Sequence, residues 1–198
     1  MPTVPDTSKD RTGHAPGDFA VVSSGGPAGK LIRLLLWLAG RKQRQFRQFQ
    51  HAFIYIGITG TDRDHPLGLP SVIQAEPTGA RERPLTGHTT EMWSTDIIYL
   101  TPIKRADILS AAHLYATNNT DYSFLDYASL ALRRFHIRLP GLRIYIRSTG
   151  HMICSQLVDK AYSDGGVHLF RDKRFEGDVT PPDLADLLFR LQASRAHP

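Results

Sequence analysis

HAFIYIG, residues 51–57, is the clearest strand pattern in the sequence. Its aromatic and β-branched residues favour a β-strand, and Gly57 marks its end. Successive side chains of a strand point to opposite faces. One face is therefore predicted to carry His51, Phe53 and Tyr55, and the other Ala52, Ile54 and Ile56. The pattern also predicts that His51 is the first residue of this strand and is held rigidly at one end of the sheet.

Shorter strand patterns flank this segment on both sides. They are DFAVV (18–22), SVIQA (71–75), which places Val72 and Gln74 on one face, and TDIIYLTP (95–102). Residues 27–40, between the strands DFAVV and HAFIYIG, have proline in the first turn and glycine at the end. This pattern predicts a helix. Residues 59–70 are predicted to form a loop.

The second half of the chain has a helical pattern, with apolar residues at three- and four-residue spacing. The predicted helices are 105–118, 122–135, a helix around the single cysteine, and 181–192, with either a strand or an ordered loop over 141–148. Strands come first and helices mostly follow. This order predicts the α+β class.

The composition favours one globular domain over residues 17–192, with tails at 1–16 and 193–198. The only cysteine excludes an intramolecular disulfide, and no Cys/His array has zinc-finger spacing. We therefore expect no metal and no other cofactor.

The net charge is +5, with basic clusters at 40–50 and 133–147. These clusters suit an anionic polymer or a membrane surface, or they form a solvated basic face. Aromatic–basic stacking motifs are missing, so we expect no specific nucleic-acid partner. The chain has no secretory signal pattern, and its most apolar stretch, residues 31–40, is shorter than the roughly 20 residues of a membrane span. We expect a cytoplasmic protein, with release by a non-signal route left open.

The only cysteine lies in GHMICSQLVDKAY, residues 150–162. If Ser148 or Thr149 caps the helix, Cys154 lies in its first turns. Unpaired N–H groups at such a position lower the pKa of a thiol from about 8.5 to roughly 3.5–7.5. An apolar stripe explains the cysteine as a simple core residue instead; its members are Cys154, Leu157, Val158 and Ala161. The residues of the helix leave both interpretations open.

A cysteine nucleophile needs a base, and the base needs a group that orients it. Among nine histidines, His51 is the one that a strand pattern holds rigidly. Gln74 on the next predicted strand can hydrogen-bond the far nitrogen of its ring. His151, three residues before Cys154, is an alternative base.

Several segments occur in an order that resembles the circularly permuted papain-like hydrolases. They are GDFAVV, a helix, QHAFIYIG, VIQAEPTGA and ICSQLVDKAY, followed by VTPPDLADLL, and they cover roughly residues 17–187. The group is the YiiX-like branch of the NlpC-type superfamily, which is related to lecithin:retinol acyltransferase. In it the histidine strand precedes the cysteine helix. The resemblance implies a small antiparallel sheet or barrel packed against helices.

The resemblance also implies roles for individual residues. Cys154 matches the nucleophile and His51 the general base. Gln74 occupies the position of the polar orienter, where the family often has glutamate, so Gln74→Glu is expected to be tolerated. Glu76 is the reserve orienter, and it and Tyr122 are candidate substrate-pocket residues. Asp18 is expected to be a turn or strand-edge residue, not a catalytic acid.

The expected function is a cysteine hydrolase of the peptidase or amidase type that cleaves an amide or isopeptide bond, for example in cell-wall peptides. Two alternatives remain. One is a lipid acyl-ester or thioester hydrolase or acyltransferase on the same scaffold, and the other is a non-catalytic basic binding module. The expected partner is a peptide, isopeptide or acyl substrate.

Overall fold

The structure, a computed structural model, describes five strands and three helices and belongs to the α+β class. The described residues are 9–23, 25, 30, 33, 45–60, 67–76, 79–85, 87, 91–118, 154–171 and 179–196. The strands are β1 Phe19–Val22, β2 His51–Thr59, β3 Leu69–Glu76, β4 Gly79–Pro84 and β5 Glu91–Trp93. The helices are α1 Pro102–Thr117, α2 Cys154–Asp164 and α3 Pro181–Ala196.

The five strands form one antiparallel sheet in the order β4-β3-β2-β1-β5. Strand β2 is therefore central, as expected of the most apolar strand. Its register pairs Ile54 with Phe19 on one side and with Ile73 on the other. The β2–β3 ladder is irregular after Tyr55. Gly57 has a φ of 97° there, a backbone conformation that residues other than glycine rarely adopt.

The alternation predicted for β2 separates two apolar clusters. The main core lies between the sheet and the helices and contains Ala52, Ile54 and Ile56 with apolar residues of all three helices. A smaller cluster on the opposite face contains Phe53 and Tyr55 with Ala20, Val22 and Val72. Gln74, two residues after Val72, shares the face of this second cluster.

Capping side chains set the starts of α1 and α3. The hydroxyl of Thr101 accepts a hydrogen bond from the Lys104 N–H at the start of α1, where proline occupies the first turn. At the start of α3, Thr180 and Asp183 bond to each other's backbone N–H groups at 3.3 and 3.0 Å, which is a capping box. Helix α3 continues to Ala196, beyond the predicted end at 192 and into the predicted tail.

The predicted strand over residues 95–102 is wrong. The N–H groups of Ile97 and Ile98 both donate to the carbonyl of Ser94 at 2.9 Å, and Asp96 has a φ of 60°. This geometry is a tight turn, and α1 begins at Pro102. The β-branched and aromatic residues favoured a strand, but the local hydrogen bonds of the turn leave no ladder for it.

Strands β4 and β5 were not predicted from the sequence. Strand β4 has the sequence GARERP and lies at one edge of the sheet, and the three-residue β5 lies at the other. Charged side chains and short length are typical of edge strands, and neither produces a hydrophobic alternation.

Residues 9–16, within the predicted N-terminal tail, pack against the sheet and α1. The hydroxyl of Tyr55 donates to the Asp10 carboxylate, and Arg105 donates to the Pro16 carbonyl at 3.0 Å. Asp18, as expected, precedes a strand: it is fully buried just before β1, where it accepts hydrogen bonds from Arg105 and the Ala15 N–H.

Several predicted elements lie outside the described residues, either wholly or for the most part. They are the helices over 27–40 and 122–135, the segment 141–148, and the cap at Ser148 or Thr149. In the part of the chain that is described, no helix combines the length and the apolar character needed to cross a membrane.

Candidate active site

His51 is the first residue of β2, and its backbone is fixed by pairing with Val22 of β1. Its side chain is partly buried, and its ring centroid lies 6.4 Å from that of Phe53. The histidine is therefore held by the most central strand of the sheet, at the end where the strand begins.

Cys154 is the first described residue of α2, which packs on β2 and β3. Its side chain is 2% exposed and forms part of the main core with Leu157, Val158 and Ala161, the four residues of the predicted apolar stripe. It also makes a side-chain hydrogen bond with His51. The sulfur thus has apolar neighbours and an imidazole partner, a combination that a purely structural core cysteine does not require.

Gln74 in β3 occupies the other side of the imidazole. Its Oε1 lies 2.7 Å from Nε2 of His51. An amide oxygen only accepts hydrogen bonds, so Nε2 is the protonated ring nitrogen in this contact. Nδ1 is then the nitrogen left for the thiol of Cys154.

Glu76 does not contact the imidazole, but it continues the chain of polar contacts. Nε2 of Gln74 donates to Oε1 of Glu76 at 3.0 Å. Both oxygens of Glu76 accept hydrogen bonds from Arg83 of β4, at 2.8 Å each. A continuous chain therefore runs from the sulfur through the imidazole, amide and carboxylate to a guanidinium.

Opposing effects act on the pKa of His51. Burial disfavours the charged ring and lowers its pKa, whereas the charge of Cys154, the hydrogen bonds to Cys154 and Gln74, and the charge of Glu76 all raise it. The raising effects prevail, so the pKa of His51 is raised above its ordinary value.

The carboxylate at the far end of the chain stays ionised at neutral pH. The hydrogen bonds from Arg83 lower the pKa of Glu76, against the opposing effect of its partial burial, and the hydrogen bond from Gln74 adds to the lowering. Glu76 is 24% exposed and Arg83 44% exposed. The pair therefore lies at the surface and connects to the imidazole through Gln74.

The structure brings three of the sequence-predicted residues into one chain of contacts, namely Cys154, His51 and Gln74, with Glu76 adjoining them. Tyr122 and the alternative base His151 lie outside the described residues. Arg83 was missed, because an arginine in a charged stretch has no distinctive sequence signal. The β3–β4 register places Gln74 opposite Arg81. Arg83, two residues further along β4, lies on the same face, and only this register shows that the face is turned toward the site.

The donor set suits acid–base and nucleophilic chemistry. Among the described residues, no three His, Cys, Asp or Glu side chains are grouped so that they could hold a metal ion. No protein-family model and no curated protein matches the chain.

Proposed function

We propose that this protein is a cysteine hydrolase of the circularly permuted papain-like type, acting on an amide or isopeptide bond. The observation that carries the proposal is the hydrogen-bonded series Cys154–His51–Gln74, with the sulfur on α2 and the imidazole at the start of the central strand. The antiparallel sheet and the position of the histidine strand before the cysteine helix support it.

In the proposed acylation, Nδ1 of His51 holds the thiol proton while the sulfur of Cys154 attacks the carbonyl carbon of the substrate. The S–C bond forms as the carbonyl electrons move to oxygen. The backbone N–H of Cys154 helps to stabilise the oxyanion in this proposal. His51 then gives its proton to the departing nitrogen, and the C–N bond breaks.

In the proposed deacylation, His51 removes a proton from water, which attacks the thioester carbonyl. The S–C bond breaks, the acid product leaves, and the proton on His51 returns to the sulfur. Gln74 keeps the ring oriented in both steps by accepting from Nε2–H. A neutral amide supports the imidazolium less than a carboxylate would, but it keeps the productive tautomer.

Alkylation by iodoacetamide tests the Cys154–His51 pair directly, because Cys154 is the only cysteine. The thiolate is the form that reacts. We expect the wild type to label readily below pH 7. In His51→Ala the rate at pH 6 should fall about 10²-fold, because a thiol with a pKa of about 8.5 is only about 0.3% thiolate there. His113→Ala, which removes an exposed histidine from α1, is the matched control.

Two results would remove the proposal. One is equal labelling of the wild type and His51→Ala at pH 6, and the other is a thiol that labels only after the protein unfolds. Turnover is then measured on fluorogenic peptide amides, isopeptides and short acyl esters, with Cys154→Ala as the inactive control. Cleavage of esters alone would favour the acyl-ester hydrolase. Full activity of Cys154→Ala would exclude cysteine catalysis.

A further inference from the structure

The amide of Gln74 is bonded at both ends, and the two partners differ in what they can do. At its oxygen end it accepts from Nε2 of His51, and at its nitrogen end it donates to Glu76. An ionised carboxylate can only accept hydrogen bonds. Glu76 therefore holds the NH2 end of the amide, which turns Oε1 toward the imidazole.

The opposite orientation of the amide would disable the base. An NH2 group facing His51 would donate to Nε2, and the proton of the neutral ring would then lie on Nδ1. Nδ1 is the nitrogen left for Cys154, so the ring would face the thiol with a donor in place of an acceptor. The orientation of one amide thus decides whether His51 can take the thiol proton.

Arg83 fixes the carboxylate that makes this selection. Its Nε and Nη2 bind the two oxygens of Glu76 at 2.8 Å each, a forked contact that sets the plane of the carboxylate as well as its charge. Ion pairs this exposed contribute little to stability as a rule. The geometric effect on Gln74 is therefore its main consequence.

We propose that Glu76 and Arg83 are positioning residues that select the tautomer of His51 through the amide of Gln74. The inference rests on the proposed function, in which His51 is the base. It assigns Glu76 a role different from the orienter or pocket residue expected from the sequence, and it gives a role to a β4 residue with no sequence signal of its own.

The test compares Arg83→Gln with Arg81→Gln. Arg81 lies on the same strand two residues earlier, and its charge also acts on Glu76, but Arg83 makes the forked contact. The primary measurement is the ¹⁵N chemical shifts of the His51 ring, taken at a pH above its raised pKa, where the ring is neutral and the shifts distinguish Nε2–H from Nδ1–H. We expect Nε2–H in the wild type and in Arg81→Gln, and a mixture of tautomers in Arg83→Gln and Glu76→Gln.

Kinetics supply a second readout. In Arg83→Gln we expect kcat for the best substrate of the panel, and the alkylation rate at pH 6, to fall about tenfold with KM kept, well short of the roughly 10²-fold cost of misplacing a reacting group. Arg83→Lys should recover part of the loss, because it keeps the charge without the fork. The pH dependence of the alkylation rate reflects the groups that act on the His51 ring, which are Cys154 from α2 and Gln74 and Glu76 from β3. Arg81 and Arg83 of β4 act in turn on Glu76.

An unchanged tautomer and unchanged rates in both Arg83→Gln and Glu76→Gln would overturn the inference. Equal losses in Arg81→Gln and Arg83→Gln would also overturn it, because charge alone would then explain the effect. If Arg83→Gln does not fold, judged by circular dichroism, Arg83→Lys and Glu76→Gln carry the same comparison. Failure of the proposed function is distinguishable, since an unreactive Cys154 in the wild type leaves the tautomer measurement intact.

Discussion

Replacing Gln74 by glutamate would put a second carboxylate directly beside Glu76. The Gln74 nitrogen lies 3.0 Å from Oε1 of Glu76, so the new oxygen would occupy about the same position. Two unit charges about 3 Å apart repel by about 5 kcal/mol at an effective dielectric constant of about 20. Arg83 and the partial exposure of Glu76 offset about half of this, which leaves a repulsion on the order of 2–3 kcal/mol.

The pair can relieve this repulsion by binding one proton, which raises the pKa of one of the two carboxyls. A group whose pKa is raised in the folded state stabilises the fold below its unfolded pKa, about 4.3 for glutamate. That stability is lost as the pH rises through the folded pKa. The loss caused by Gln74→Glu should therefore grow by about 1–2 kcal/mol between pH 5 and pH 8.

The assay is urea unfolding of Gln74→Glu and of the double variant Gln74→Glu/Glu76→Gln at both pH values. Both variants place a carboxylate next to Nε2 of His51, so their difference isolates the repulsion with Glu76. The double variant should show the smaller pH dependence and the higher alkylation rate. Identical pH profiles for the two variants would refute the reasoning. The contact with Glu76 adds a cost in folding stability to Gln74→Glu, a variant that the sequence predicts to be tolerated in activity.

Two further predictions concern the scaffold, and both are measured as shifts in the free energy of unfolding. Asp18→Asn should cost about 3 kcal/mol, because it leaves the largely buried Arg105 without its carboxylate partner. Asp96→Asn should cost less than about 1 kcal/mol, because 73% of the Asp96 side chain is exposed. Equal losses in the two variants would contradict this prediction. Gly57→Ala should cost about 1–3 kcal/mol, because the φ of Gly57 is 97° and an added Cβ would lie 3.1 Å from a proline ring. The control is Gly87→Ala, where an added Cβ meets nothing within 4 Å. A harmless Gly57→Ala would show that the strand relaxes there.

The elements predicted well are those whose own residues favour the strand or helix that they form. Strand β2 is aromatic and β-branched along its length; it begins at His51 as the pattern indicated, but it continues past the predicted end at Gly57 to Thr59. Helix α2 has its apolar stripe at helical spacing, and all four members are buried. In these segments the hydrophobic period carries the information, and it is local.

The elements predicted wrongly or missed are those decided by neighbours. The turn at residues 94–98 overrode the strand preference of residues 95–102, because local hydrogen bonds to Ser94 closed it. Strands β4 and β5 exist because a formed sheet offers its edges as hydrogen-bonding partners. A charged hexapeptide such as GARERP has no reason of its own to be extended.

The candidate site divides in the same way. The sequence determined the chemical types of its members and the order of the histidine strand and the cysteine helix, which lie about a hundred residues apart. Only the tertiary structure decided that the imidazole meets the sulfur, that the amide separates it from Glu76, and that Arg83 completes the chain. The physical reason is that side-chain periodicity is a property of a segment, whereas a hydrogen-bond partner is fixed by register and packing between distant segments.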